Sequence, residues 1–472
     1  MPLVAGVDSS TTACKVEVRD ADTGALVASG RAPHPPTMPP RSEQDPRSWW
    51  SAFEQAASQA GVSGPNRPSA ISIAAQQHGL VALGSAGEVL RPVKLWNDTE
   101  SADDAAQLVE ALGAERWASA CGSVPVASFT ITKLRWLRRT EPRVFDRLAR
   151  IGLPHDWLTH RLTGSWTTDR GDASGTGWWS PTDEGYRTDL LGLIDGSVDW
   201  LPMLPTVRAS TEAAGEWVPT GALVGAGTGD NMAAALGLAL RPGDLALSLG
   251  TSGTAFTIAD APTADPTGVV AGFADAGGRY LPLVCTLNAT KVTDAIARLL
   301  GVTTAALDRL ALDAPPGADG MVLVPHLDGE RTPNRPTATG VLSGIRSDAS
   351  PALLARAAVE GVVCNLLDGA DQLPGADGRV LLVGGGARSE AYRQVVADLT
   401  GRPVVVPDEQ ELVALGAAVQ AAAVLHGRTV DEIAAAWGLG GGTTVDPVGH
   451  SDREVVRSQY ERALSDGARA AR

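Results

Sequence analysis

The chain twice sets a hydroxyl-rich turn between two short apolar strands, once as "VDSSTTACKV" at residues 7 to 16 and again as "LSLGTSGTAFT" at residues 247 to 257. Small side chains and glycine in such a turn let backbone N–H groups and hydroxyls point the same way, which suits phosphate oxygens. Either turn alone is equally an ordinary hairpin. Strands and helices alternate after each, so the chain reads as two α/β domains opened by the same strand-turn-strand unit.

Length agrees, since 472 residues exceed one ordinary core. Of the twelve tryptophans only Trp437 lies beyond Trp217. That shift places a boundary between about 217 and 245, and the domains are drawn at 1–240 and 241–472.

A net charge of -15 without a basic cluster excludes nucleic acid and anionic membrane surfaces as partners. Cys14, Cys121, Cys285 and Cys364 stand singly, which fits a reducing, cytoplasmic setting. Neither a basic leader nor an eighteen-residue apolar run occurs, so secretion and membrane spanning are not expected.

No G-x-x-x-x-G-K-[ST] occurs, which disfavours a P-loop. "VGAGTGDN" and "VGGGARS" invite a dinucleotide reading, but Asp230 and Ser389 stand where the third glycine belongs, and no acid ends a second strand about twenty residues on.

Asp230 follows a glycine turn and opens a small-residue helix, so it reads both as a helix cap and as a base. At a helix N-terminus the dipole and N–H groups are expected to hold it ionised. Asn231 either orients a ligand or closes the turn. Gln77 and His78 end a strand-like segment, and Trp96 offers an apolar face beside Asn97 and Asp98, the last also a candidate helix cap. Asp8 suits a water-mediated Mg2+ site, and Lys15 follows on the next strand. His155 and His160 are five apart, without a carboxylate at metal-ligand spacing, and read as structural. Glu330 and Arg331 read as an internal ion pair.

Taken in order, "GVDSSTTACK", "SEQDPRSWW", "AAQQHG", "LWND", "FTITKLRWL", "LPHDWLTHRLTG", "GTGDN", "LSLGTSGT", "PHLDGERTP", "ARAAVEG" and "GGGARSE" resemble the FGGY carbohydrate kinases. The similarity runs from about Leu3 to about Ala423. It implies an α/β fold of two actin-like (ribonuclease H-like) domains flanking a central catalytic cleft, sugar held mainly by the first and ATP mainly by the second. It implies Asp230 as general base, with Gln77, His78, Trp96, Asn97, Asp98 and Asn231 toward the sugar. Toward Mg2+ and ATP it implies Asp8, Ser10, Thr11, Thr12, Lys15, Gly250, Thr251, Ser252, Gly385, Gly386 and Ala387, with Asp8 the metal residue.

The implied reaction is phosphorylation of a terminal hydroxyl on a ketopentose, D-xylulose first. Ribulose, pentitols and glycerol are alternative acceptors, and an actin-like ATPase is the alternative outside the class. Partners are then a small sugar and ATP, and the chain a monomer or homodimer. Three positions depart from the family pattern: Ser9 where glycine is usual, Gln77 where many relatives carry methionine, and Ala295 where an aromatic is common.

Overall fold

A computed structural model describes residues 1–448 and 452–470, with backbone alone for 467–470. The chain forms two compact units. The first comprises Met1–Leu240, Asp260–Leu281 and Gln410–Gly440, and the second comprises Arg241–Ala259, Pro282–Glu409 and the described residues from Gly441 onward.

In the first unit β1 (Leu3–Ser9), β2 (Ala13–Asp20) and β3 (Leu26–Pro33) form an antiparallel meander. β4 (Ala70–Ala75) then lies parallel to β1. Beyond it come β6 (Ala222–Gly225), parallel to β4, and β5 (Ala213–Trp217), antiparallel to β6. The sheet order is β5-β6-β4-β1-β2-β3, and a short β7 (Thr228–Gly229) also pairs with β4. β1 and β4 are apolar on both faces because helices cover both. On one face Val7, Val16 and Ile73 pack with Trp49 and Phe53 of the helix Pro46–Gln59 and with Trp157 of the helix Pro154–Thr163.

The other face receives the helix Leu412–His426, where Val4 and Ala70 meet Leu415, Ala418 and Val419. Contact there is backbone to backbone. A Cβ on Gly6 would lie 1.9 Å from the Ala414 carbonyl oxygen, and one on Gly416 would lie 1.8 Å from that of Ala233. No side chain larger than hydrogen fits at either place.

The second unit repeats the plan. β8 (Leu245–Leu249), β9 (Gly253–Thr257) and β10 (Tyr280–Thr286) are antiparallel neighbours. β11 (Val380–Val383) is parallel to β8, β12 (Val404–Val406) parallel to β11, and β13 (Thr443–Val445) antiparallel to β12. The order β10-β9-β8-β11-β12-β13 thus reproduces β3-β2-β1-β4-β6-β5, with the same sequence of antiparallel and parallel pairings. Both hydroxyl-rich turns occupy the same topological position, joining the first two strands of their sheets.

The division differs from a single cut after 240. Asp260–Leu281 and Gln410–Gly440 belong to the first unit. The helix Leu412–His426 is apolar around its whole circumference, which demands burial on every side, and it finds that burial on β1 and β4. Trp437 follows it, donating its indole N–H to the Ala21 carbonyl at 3.2 Å, so all twelve tryptophans lie in the first unit. The four cysteines are buried and unpaired. Among the described residues no single helix is long and apolar enough to cross a membrane.

Candidate active site

Three parallel strands of the first unit end level with one another. Ser9 of β1 and Gly229 of β7 both pair with Ala75, the last residue of β4. The residues around these ends are Asp8, then Gln76, Gln77 and His78, then Asp230 and Asn231. Ligands of α/β sheets collect at such carboxyl edges.

Asp230 is the first residue of the helix Asp230–Gly237, and Gly229 is its cap. The expected cap is therefore displaced by one residue. Oδ1 of Asp230 accepts from the Asn231 N–H at 2.9 Å and from the Asn231 amide at 3.1 Å, while Oδ2 accepts nothing among the described residues. Contrary to the expectation of a carboxylate held firmly ionised, Asp230 is pushed up to about 7. Burial is the first cause, and the negative charges of Asp8 and Asp172 add to it, together outweighing the backbone N–H groups of Asn231 and of Asp230 itself.

Asn231 also donates to Oε1 of Gln77 at 2.8 Å. Gln77 lies flat on Gly229, whose missing Cβ leaves room for its amide. His78 is held in left-handed backbone at φ 66°, with Nδ1 donating to the Gly175 carbonyl at 2.7 Å. Its ring stacks on Phe129 at 5.0 Å between centroids and contacts Phe273 at 5.7 Å. A carbonyl can only accept, so Nδ1 carries a proton.

Trp96 donates its indole N–H to the Thr11 hydroxyl at 2.9 Å. Three buried polar atoms in this group have no hydrogen-bond partner among the described residues: Asp8 Oδ1, Gln77 Nε2 and Asn97 Oδ1. Buried polar atoms are seldom left so, and unpartnered ones clustered in one group of residues mark a place built for a ligand.

Asp98 is a correction. It is fully buried, and its oxygens accept from Lys94 Nζ at 3.0 and 3.1 Å, from the Ser42 N–H at 2.9 Å and from the Glu100 N–H at 3.0 Å. It neither caps a helix nor has capacity for a sugar; it pins the loop that carries Trp96 and Asn97. Glu43, Asp98 and Glu100 come close enough to resemble a metal cluster, but the Lys94 ammonium contacts all three and lies 3.9 Å from the centre of the Trp136 ring.

The first turn differs from expectation in detail. The Ser10 hydroxyl donates to the Ala13 carbonyl at 3.0 Å, and the Thr11 hydroxyl donates to Gln76 Oε1 at 3.1 Å. Lys15 pairs with Asp8 at 3.1 Å and with Glu411 at 2.6 Å, so its charge is matched within the unit. What the turn presents outward is Thr12, which is exposed, and the N–H groups of Thr11 and Thr12, which donate to no acceptor among the described residues. The turn of the second unit is alike: Gly250 donates to the Ser252 carbonyl at 3.0 Å, while the N–H groups of Thr251 and Ser252 are similarly uncommitted.

The second unit also holds a cavity of about 400 Å³ lined by Gly385 and Gly386 along with Thr290, Thr293, Asp308 and Tyr392. A Cβ on Gly385 would meet nothing within 4 Å, whereas one on Gly386 would lie 2.7 Å from Leu249 Cβ. Gly385 thus faces open space and Gly386 also serves packing. Ala387 is buried behind them rather than lining the cavity. Ala295 does not line it either, and Tyr392, from the following helix, supplies its aromatic surface. Glu330 makes no ion pair with Arg331: its carboxylate takes the N–H groups of Leu287 and Arg331 at 2.5 and 2.8 Å and the amides of Asn288 and Asn365 at 2.9 and 3.0 Å.

One contributor escaped the sequence reading and another was read only as structural. Gln420 clamps the turn that leads to Asp230, accepting from the Gly227 N–H at 3.0 Å and donating to the Gly227 carbonyl at 3.1 Å. Its signal was present, a lone amide inside an otherwise apolar helix. The other is His155, whose Nδ1 lies 2.7 Å from Asp172 Oδ2, with Nε2 3.2 Å from Asp156 and 3.9 Å from Asp169. Burial opposes the charged ring, but Asp156, Asp172 and Asp169 raise it to about 9.

Models of the FGGY family of carbohydrate kinases match the chain, the N-terminal domain over residues 3–237 and the C-terminal domain over residues 245–425. A xylulose kinase of Streptomyces coelicolor is 48% identical over 476 residues, covering 99% of this chain and 97% of its own. That of Streptomyces rubiginosus is 47% identical with the same coverage. The solved xylulose kinase of Bifidobacterium adolescentis is 41% identical with a TM-score of 0.87, covering 98% of this chain and 99% of its own. The chain belongs to the FGGY family of carbohydrate kinases.

Proposed function

We propose that this kinase transfers the γ-phosphoryl group of ATP to the terminal hydroxyl of D-xylulose, giving D-xylulose 5-phosphate and ADP. The observation that carries the chemistry is Asp230, a partly buried carboxylate with an uncommitted Oδ2 and a proton affinity near neutrality, set at a strand edge beside Gln77, His78 and Asn231. The full-length likeness to two xylulose kinases supports the choice of sugar.

In this reading the sugar's polar atoms engage Gln77, His78, Asn97 and Asn231. Asp230 takes the proton from the attacking hydroxyl as its oxygen bonds to the γ-phosphorus and the bond to the ADP oxygen breaks. Paired N–H groups of the Thr11–Thr12 and Thr251–Ser252 turns suit phosphate oxygens, and the cavity at Gly385 suits the nucleoside. Asp8 fits Mg2+ through its unpartnered buried oxygen. The ion would supply charge neutralisation on the phosphates. The enzyme works in the cytoplasm, as a monomer or homodimer.

The test is ADP production with Mg-ATP against D-xylulose, L- and D-ribulose, glycerol, gluconate and pentitols, each beside a blank without sugar. Stimulation by D-xylulose above the rest is expected. Preference for another acceptor would replace the sugar, and turnover indifferent to every acceptor would defeat the kinase reading.

A further inference from the structure

His155 belongs to none of the groups assigned to sugar, base or phosphate, yet it is fully buried and surrounded by three carboxylates. Its ring edge fills the space left by the absent side chain of Gly227, where an added Cβ would lie 2.6 Å from His155 Cδ2. The turn carrying Asp230 therefore rests on this imidazole.

From the imidazole two connections lead outward. Asp169 accepts from the Thr228 hydroxyl at 2.7 Å, two residues before Asp230, and from the N–H groups of Gly171 and Asp172 at 2.9 Å each. Asp172, gripped by His155 Nδ1, accepts from the Gly175 N–H through its own carbonyl at 3.0 Å, and the Gly175 carbonyl takes the proton of His78 Nδ1 at 2.7 Å. A Cβ on Gly175 would lie 2.8 Å from His78 Cε1, so this segment and the His78 ring are in direct contact.

We propose that His155 is a positioning residue that holds the Asp230 turn and the His78 ring in a fixed mutual arrangement through Asp169, Asp172 and the segment 169–176. A protonated imidazole suits the task because it hydrogen-bonds Asp172 through Nδ1 and places positive charge 3.2 Å from Asp156, neutralising carboxylates that would otherwise repel one another in a dry interior. The inference rests on the proposed function only in taking Asp230 and His78 as working groups.

The test compares His155→Phe, which keeps a ring against Gly227 but donates nothing, with His155→Asn, whose amide still donates toward Asp172. With Mg-ATP and D-xylulose, His155→Phe is expected to lose ~10- to 100-fold in kcat and to raise the sugar KM, as a misplaced base and ligand require, while the ATP KM stays within about twofold. His155→Asn should recover most of the loss. Hydrogen exchange by mass spectrometry should be faster in peptides covering 225–232 and 169–178 of the phenylalanine variant alone. A folded His155→Phe protein with native kcat, sugar KM and exchange overturns the proposal.

If His155→Phe does not fold, Thr228→Val cuts the link from Asp169 to the turn without burying a new charge, and native kcat and exchange in that variant overturn it equally. Exchange requires no substrate. It decides the positioning role even where the acceptor panel shows that D-xylulose is the wrong sugar.

Discussion

The side-chain amide of Asn231 donates to the side-chain oxygen of Gln77 at 2.8 Å, across 154 residues of sequence. The same nitrogen lies 3.1 Å from Oδ1 of Asp230. One amide thus joins the segment after β4 to the carboxylate that begins the helix Asp230–Gly237, and Gln77 helps to aim that carboxylate.

Gln77→Met keeps the volume and removes the acceptor. One net hydrogen bond is worth about 0.5–1.5 kcal/mol, so the sugar KM should rise about 2- to 12-fold with a smaller fall in kcat. Steady-state kinetics against D-xylulose checks this, and an unchanged KM would remove Gln77 from the sugar's surroundings.

Asp230→Asn keeps shape and removes the proton acceptor. Turnover should fall by roughly two to four orders of magnitude with ATP binding retained. Thermal stability should hold or rise, because a buried carboxylate near Asp8 and Asp172 is replaced by a neutral amide. Single-turnover phosphorylation and calorimetry read the two effects separately.

The pH dependence follows from the same burial. Asp230 is raised to about 7, so it is protonated below that pH and ionised above it. A base must be ionised to act, and the plot of kcat/KM for the sugar should therefore climb through an acid limb centred near pH 7. A limb near pH 4, where an ordinary carboxyl titrates, would contradict the electrostatic account.

Stability should depend heavily on Lys94. Its ammonium holds Glu43, Asp98 and Glu100 together against the Trp136 ring. Lys94→Met leaves Asp98 and Glu100 without the ammonium, while Glu43 keeps Arg91 and Arg41, a change of the kind that costs about 3–5 kcal/mol. Urea unfolding of the variant measures it, and the midpoint should drop well below that of the native chain.

Much of this was legible in the sequence because it is local. The two hydroxyl-rich turns, the glycine before Asp230 and the concentration of tryptophan depend on neighbours a few residues away, and the structure repeats them as matching hairpins in matching sheets. What escaped depends on distant chain segments. "KLWND" gives no hint that Lys94 and Asp98 meet Glu43, which leaves Asp98 looking available for a ligand. The proton affinity of Asp230 depends on its burial and then on Asp8 and Asp172, brought near it by separate strands and loops. An apolar helix around Gln420 announces burial but not the sheet that will bury it.

The helix Leu412–His426 also bears on how the chain is made. The helix that covers the far face of β1 is synthesised about four hundred residues after it, with most of the second unit made in between. Completion of the first unit thus waits until most of the second has been made. A nascent or truncated chain ending near 240 carries Val4, Gly6 and Ala70 on a bare apolar sheet face, which invites association with other chains until the missing helix arrives.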